Sequence, residues 1–179
     1  SAGIVVVILM TPTYLQKVHG ISPADALTAN SLAIVALTLG CIFYGRLIDS
    51  LGSGPTFVLG SLLLAGATYA FYHSLAAGMD QLVPLYMLAG FAVGIVGAVP
   101  YVMVNAFPPV VRFSGLSFSY NVAYAIFGGL TPMLVTLWMK NDVLAPSHYV
   151  VSLAGLGLVL GLWLWLRQRT RRQVTPQTA

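Results

Sequence analysis

The sequence predicts an all-helical protein held in a membrane by six transmembrane helices, and three observations predict it. Of the 179 residues, 58% are hydrophobic and only 7% are charged, with a mean hydropathy of +0.88. A soluble domain carries about 25% charged residues, so in water this chain would have too few to cover its apolar surface. The apolar residues also gather into six runs that contain no Asp, Glu, Lys or Arg, separated by short stretches rich in Gly, Pro, Ser and charge.

The runs lie at 2–15, 27–44, 55–72, 82–106, 116–139 and 149–166. The first, in SAGIVVVILMTPTYL, has no basic n-region and no small-residue cleavage site, so it is not a signal peptide. It is shorter than the ~20 residues a bilayer crossing needs, and it reads as a helix truncated within the membrane, in a fragment of a longer protein. The breaks are QKVHGISPAD, GRLIDSLGSGP, HSLAAGMDQ, FPPVVRFSG and KNDVLAPSH. Basic residues orient the spans, because they accumulate on the cytoplasmic side. Arg46, Arg112, Arg167, Arg169, Arg171 and Arg172 share one side, and Lys17 and Lys140 the other. The FPPVVR connection and the C-terminus are therefore expected in the cytoplasm. Residues 1–166 then form the six-helix transmembrane unit and 167–179 a basic cytoplasmic tail. The tail accounts for most of the net charge of +4 and suits an anionic membrane surface better than nucleic acid.

Catalytic constellations are missing from the sequence. The four acidic residues are all Asp in connecting stretches, there is no Glu, and Cys41 is the single cysteine. His19, His73 and His148 are far apart in sequence, near span ends away from the cytoplasm. No nucleophile–base arrangement, metal-ligand spacing or phosphate-cradling loop appears, so the chain reads as a non-enzyme without cofactor.

The fifth run carries polar residues where a lipid-facing helix would carry leucine. Ser117, Asn121, Tyr124, Gly128 and Thr131 follow at spacings of 4, 3, 4 and 3, a stripe about 80° wide at 100° per residue, and Tyr120 borders it. Two readings fit: hydrogen bonding between helices, or a wall facing a solute. Prolines add a second pointer. If six spans divide as three and three, the first corresponds to the fourth. Pro12 precedes Tyr14 in one, Pro100 precedes Tyr101 in the other, and Asn105 lies one turn on. Each proline removes a helical hydrogen bond and bends its helix, as Pro132 does in the fifth span, with ligand contact or packing alone as the outcome. Gly90, Gly94, Gly97, Gly157 and Gly161 fit close helix packing.

Three segments carry a family resemblance. GRLIDSLGSGP, residues 45–55, resembles the G-x-L-x-D-R-x-G-R-R signature of the major facilitator superfamily. Gly45, Leu47, Asp49 and Gly52 are in register, and the usual arginines are replaced by Ser50, Ser53 and Gly54. FPPVVRFSG is similar to the E-x-F-P-T-x-V-R-x-x-G segment of metabolite:proton symporters and sugar porters, with Asn105 in the acidic position. GLSFSYNVAYAIFGGLTP resembles the G-L-x-x-x-Y-N-x-x-x-x-x-F-G-G-x-T-P run of the symporters and points to their proline/betaine group, as does TPTYL. The PETKG-like motif of sugar porters is absent.

This resemblance implies the C-terminal six-helix half of a twelve-helix secondary transporter in a bacterial inner membrane, built as a 3+3 repeat. Its other partners would be the lipid bilayer, a small solute and the missing N-terminal half of the same chain. Symport by alternating access would be driven by a proton or sodium ion, and with no Asp or Glu in the six runs the coupling carboxylate falls to the other half. Gly45 is expected to provide a tight turn, and Arg46 and Asp49 to sit with it in a gating loop. Asp49 would meet a helix start or an arginine on closure. Arg112 either anchors the other cytoplasmic loop or serves as an interfacial charge. Tyr14, Tyr101, Tyr120 and Tyr124 are candidate linings for a zwitterion or quaternary ammonium, since a cation over a tyrosine ring gains ~0.5–2 kcal/mol. With Asn105, Ser117, Asn121 and Thr131 they make up the expected solute path. A carboxylate solute on the same fold, or a homo-oligomeric six-helix channel or structural unit, is the alternative.

Overall fold

The computed structural model describes residues 2–78 and 81–174, with side chains as far as Arg167. Among these residues there is no strand, and six helices are long and apolar enough to cross a membrane. They are α1 (Ala2–His19), α2 (Pro23–Leu51), α3 (Ser53–Ala76), α4 (Leu82–Ala106), α5 (Arg112–Met139) and α6 (Ala145–Val174). Short connections make consecutive spans antiparallel. The α1–α2, α3–α4 and α5–α6 connections therefore share one end, and the α2–α3 and α4–α5 connections the other. The basic tail is helical in backbone to Val174 with no break at 166. The side chains of Arg169, Arg171 and Arg172, and all of residues 175–179, lie outside the described residues.

The helices outrun the apolar stretches because polar residues continue the hydrogen-bonded backbone into the interface, and local chemistry sets their ends. Ser22 caps α2: its hydroxyl accepts the Asp25 N–H at 3.1 Å and donates to Asp25 Oδ2 at 2.7 Å, with Pro23 in the first turn. Gly20 ends α1 at φ +65°. Gly52 separates α2 from α3 at φ +86° and ψ 172°, a region essentially restricted to glycine.

That turn corrects the expected gating loop. Gly45, Arg46 and Asp49 lie on α2, not in a connection, and the tight turn belongs to Gly52. Nothing between Gly45 and Leu51 breaks a helix, since one interior glycine costs only about 1 kcal/mol. Arg46 and Asp49 are exposed on the last turns of α2.

Two cores hold the bundle. The larger joins all six helices through Val6, Val7 and Leu15 of α1, Ala29 and Ala33 of α2, Phe71 and Tyr72 of α3, Tyr86 of α4, Val135 of α5 and Val150 of α6. Phe71 stacks on Tyr86 at 4.9 Å between ring centroids. The smaller, near the α2–α3 turn, comprises Tyr44, Ile48, Phe57 and Ala98. Helices α2 and α4 approach through glycine: a Cβ added to Gly94 would lie 2.6 Å from the carbonyl carbon of Gly40.

Candidate functional site

Two helices are irregular, and each irregularity ends at a proline. Residues Val5–Met10 of α1 form a π-helical segment immediately before Thr11-Pro12, and Gly94–Ala98 of α4 form a 3-10 segment immediately before Val99-Pro100. Pro132, by contrast, sits inside an unbroken α5. In the π segment Thr11 N–H reaches the Val6 carbonyl, five residues back. In that register Pro12 would serve the Val7 carbonyl, and proline has no N–H to give.

Neighbouring helices supply what the proline withholds. Tyr86 O–H of α4 donates to the Val7 carbonyl at 2.8 Å. The same hydroxyl lies 2.5 Å from the Asn30 amide oxygen of α2, so its single proton is shared between that oxygen and the Val7 carbonyl. Thr11 donates to the Val6 carbonyl at 2.9 Å and accepts from Tyr72 O–H of α3 at 2.7 Å. The break in α1 is thus tied to α2, α3 and α4. Neither Tyr72 nor Tyr86 was singled out by sequence; each is a tyrosine inside an apolar run, with no signal of its partner.

Beside this break lies a cleft of about 380 Å³. Its walls are Leu9, Thr13, Tyr14 and Lys17 of α1, Tyr72 of α3, Gly128, Pro132, Thr136 and Met139 of α5, and Pro146 of α6, together with Val5 and Met10. Tyr14 forms its floor: it is 4% exposed, packs edge-on to Tyr72 at 5.3 Å, and donates its hydroxyl to the Val143 carbonyl at 3.2 Å. Lys17 is exposed, and it is the one charged residue among those lining the cleft.

The other residues expected on a solute path are dispersed. Tyr101 and Asn105 line a separate groove between α4 and α6 with Trp163 and Arg167. Tyr120 and Tyr124 lie against each other at 4.9 Å on α5. Asn121 donates to the Ser117 carbonyl and Asn105 to the Tyr101 carbonyl, each at 2.8 Å. Each amide thereby spends one proton on its own helix and keeps an N–H and an oxygen. Thr131 is buried and shares a 2.9 Å hydrogen bond with Tyr149 of α6. Arg112, the first residue of α5, donates from Nε to the Phe107 carbonyl at 3.3 Å and so braces the α4–α5 connection.

At the end bearing the α5–α6 connection, Asp142 accepts the Leu144 N–H at 2.9 Å through one oxygen and meets His148 Nδ1 at 2.7 Å through the other. The Leu144 hydrogen bond, followed by that of His148 and the nearby His73, holds the Asp142 carboxyl below the usual carboxylate range. His19 packs against Tyr14 at 5.2 Å, and it lies at the same end of the bundle as His73 and His148. No group of three metal-ligating side chains is formed among the described residues.

Several known proteins are similar to this chain. It is 26% identical over 164 residues to a Staphylococcus aureus (strain COL) protein provisionally named a proline/betaine transporter, covering 87% of this chain and 34% of that one. It is 28% identical over 157 residues to the ectoine/proline transporter ProP of Corynebacterium glutamicum, covering 83% and 31%. It is also 28% identical over 140 residues to the proline/betaine transporter of Salmonella typhimurium (strain LT2), covering 73% and 28%. The chain therefore spans about a third of the length of these relatives. No protein-family profile and no solved structure matches it. With six apolar helices and relatives named as transporters, not enzymes, it is an integral membrane protein in contact with a lipid bilayer.

Proposed function

We propose that the chain is the C-terminal six-helix half of a secondary active transporter of the major facilitator superfamily, in its metabolite:proton symporter family, moving small zwitterions such as proline or glycine betaine. The observation that carries this reading is the similarity to proteins named as proline/betaine and ectoine/proline transporters along 73% to 87% of the chain. An N-terminal six-helix half would complete the site and hold the carboxylate that couples transport to a proton or sodium ion. The surplus of arginine beside the α2–α3 and α4–α5 connections favours a cytoplasmic location for that end and for the tail at 167–179, in a bacterial inner membrane.

Alternating access would rock the two halves about the site. The cleft between α1 and α5 is the wall this half would present to the solute. The proline-linked irregularities of α1 and α4 are the places where these helices bend at least cost, since their carbonyls are already served by side chains or left outside the α-helical ladder. Asn121, Asn105 and Ser117, with the phenols of Tyr101, Tyr120 and Tyr124, would supply polar contacts along the path, and Tyr14 and Thr131 would hold the cleft wall in place. Arg46, Asp49 and Arg112 would act at the cytoplasmic gate, with Gly45 beside them on α2.

The test is labelled uptake by the protein expressed at its full genomic length in transporter-deficient cells. Proline and glycine betaine are compared with α-ketoglutarate and citrate, with and without a protonophore. Protonophore-sensitive uptake of the zwitterions is expected, and uptake of the dicarboxylates alone overturns the solute. Asn121→Ala should lower zwitterion uptake several-fold; unchanged uptake and affinity would make Asn121 a packing residue.

A further inference from the structure

Lys17 is the charged residue that the α1–α5 cleft presents. It lies in the last turn of α1, on the wall of the α1–α5 cleft, and no aspartate lines that cleft. Among the described residues the ion pair is Asp142–His148, and none of their carboxylates pairs with Lys17. Two hydroxyls share the wall with it, Thr13 on α1 and Thr136 on α5. Thr28 and Thr38 return their hydroxyls to carbonyls of their own helix, four residues back. Thr13 and Thr136 have no such bond among the described residues, and both are exposed. An unpaired ammonium and two uncommitted hydroxyl donors on one apolar cleft are the groups that receive a carboxylate. Among the other lining residues Leu9, Met10, Pro132 and Met139 add apolar surface, and none is an anion.

We infer that Lys17, with Thr13 and Thr136, forms a subsite for the carboxylate of the solute, and that Lys17 sets the preference for carboxylate-bearing osmolytes over cations that lack the group. The inference rests on the proposed transport of zwitterions and adds to it the end of the molecule that this half recognises. It also changes what α1 contributes: the apolar run contains no cation, but the helix continues beyond that run and brings one to the cleft.

The experiment measures uptake kinetics in the full-length protein, with cell-surface abundance measured for each variant. Lys17→Gln should raise the apparent KM for glycine betaine about tenfold, the size expected for losing one charge-assisted contact, with Vmax changed less than twofold. Lys17→Arg should recover most of that loss, and Thr13→Val and Thr136→Val should each raise KM a few-fold. Inhibition by choline, which carries the same trimethylammonium group without a carboxylate, should be no weaker in Lys17→Gln than in the parent. Lys140→Gln removes the other basic residue assigned to the same membrane side, which is not among the residues lining the cleft, and should leave KM unchanged. A Lys17→Gln protein with the parent's KM, or an equal loss in Lys140→Gln, overturns the subsite. Absence of betaine and proline uptake in the parent instead overturns the transport reading on which the subsite rests.

Discussion

Glycine serves the α2–α4 seam and the middle of α5 to different effect. At the seam, Gly40 and Gly94 bring two backbones into contact, and a Cβ on Gly94 would fall 2.6 Å from the Gly40 carbonyl carbon. On α5, a Cβ on Gly129 would meet nothing within 4 Å, and one on Gly128 only its own helix's Tyr124 at 3.9 Å. The contrast extends to the whole helices: half of the most apolar stretch of α1 is buried, against 11% for α5. Small residues in an apolar run therefore mark surfaces where close approach is permitted, and the partner decides whether it happens. The open face of α5 carries Asn121 and the Tyr120–Tyr124 pair, which fits a surface completed by something beyond these six helices.

Substituting both regions alike breaks this comparison most directly. Gly94→Leu should destabilise the bundle by about 3 kcal/mol or more, because backbone, not a flexible side chain, occupies the space. Gly129→Leu should cost nothing and can stabilise by up to about 1 kcal/mol, because the added side chain is unopposed and an interior helical glycine is removed. Reversible unfolding in detergent measures both, and equal losses would mean that α5 is as tightly packed as the seam. Next in size is Tyr86→Phe, which strands the Val7 carbonyl that Pro12 cannot serve and should cost about 1–3 kcal/mol. Smaller again is Thr131→Val, which removes the Tyr149 hydrogen bond where α5 does touch α6, at about 0.6 kcal/mol for a bond between membrane helices.

The mildest effect concerns acid. Because folding lowers the Asp142 carboxyl below its ordinary range, its contribution is fully present above the unfolded carboxylate's range and disappears as pH falls through the folded value. The unfolding midpoint of the parent should decline at the acid end of a series from pH 6 to 3 more than that of Asp142→Asn. A parallel decline would remove Asp142 from the account.

Much of the fold was legible in the sequence, because the bilayer admits few solutions for an apolar chain with six uncharged runs. The run at 82–106 coincides with α4, while that at 27–44 grew to Pro23–Leu51, since polar residues end an apolar run without ending a helix. The same effect moved Gly45, Arg46 and Asp49 from an expected loop onto α2 and left Gly52 as the turn. Candidate site residues were less legible. The polar stripe on α5 was visible as periodicity, but periodicity names a face and not what the face meets: Thr131 is buried against α6 while Asn121 on the same stripe is open. Lys17 lies just outside an apolar run, where the sequence shows only a charge that marks topology.

By itself the sequence determined the class of the protein, its number of spans and where its helices lose a hydrogen bond. Those follow from composition, run length and the missing N–H of proline, all properties of single residues and their order. Only the tertiary structure decided how those losses are met and what shares a cleft. The Val7 carbonyl finds Tyr86, 79 residues away, and Lys17 comes to line the same cleft as Thr136. Pairings of that kind depend on which helix faces are brought together, and long-range packing settles that.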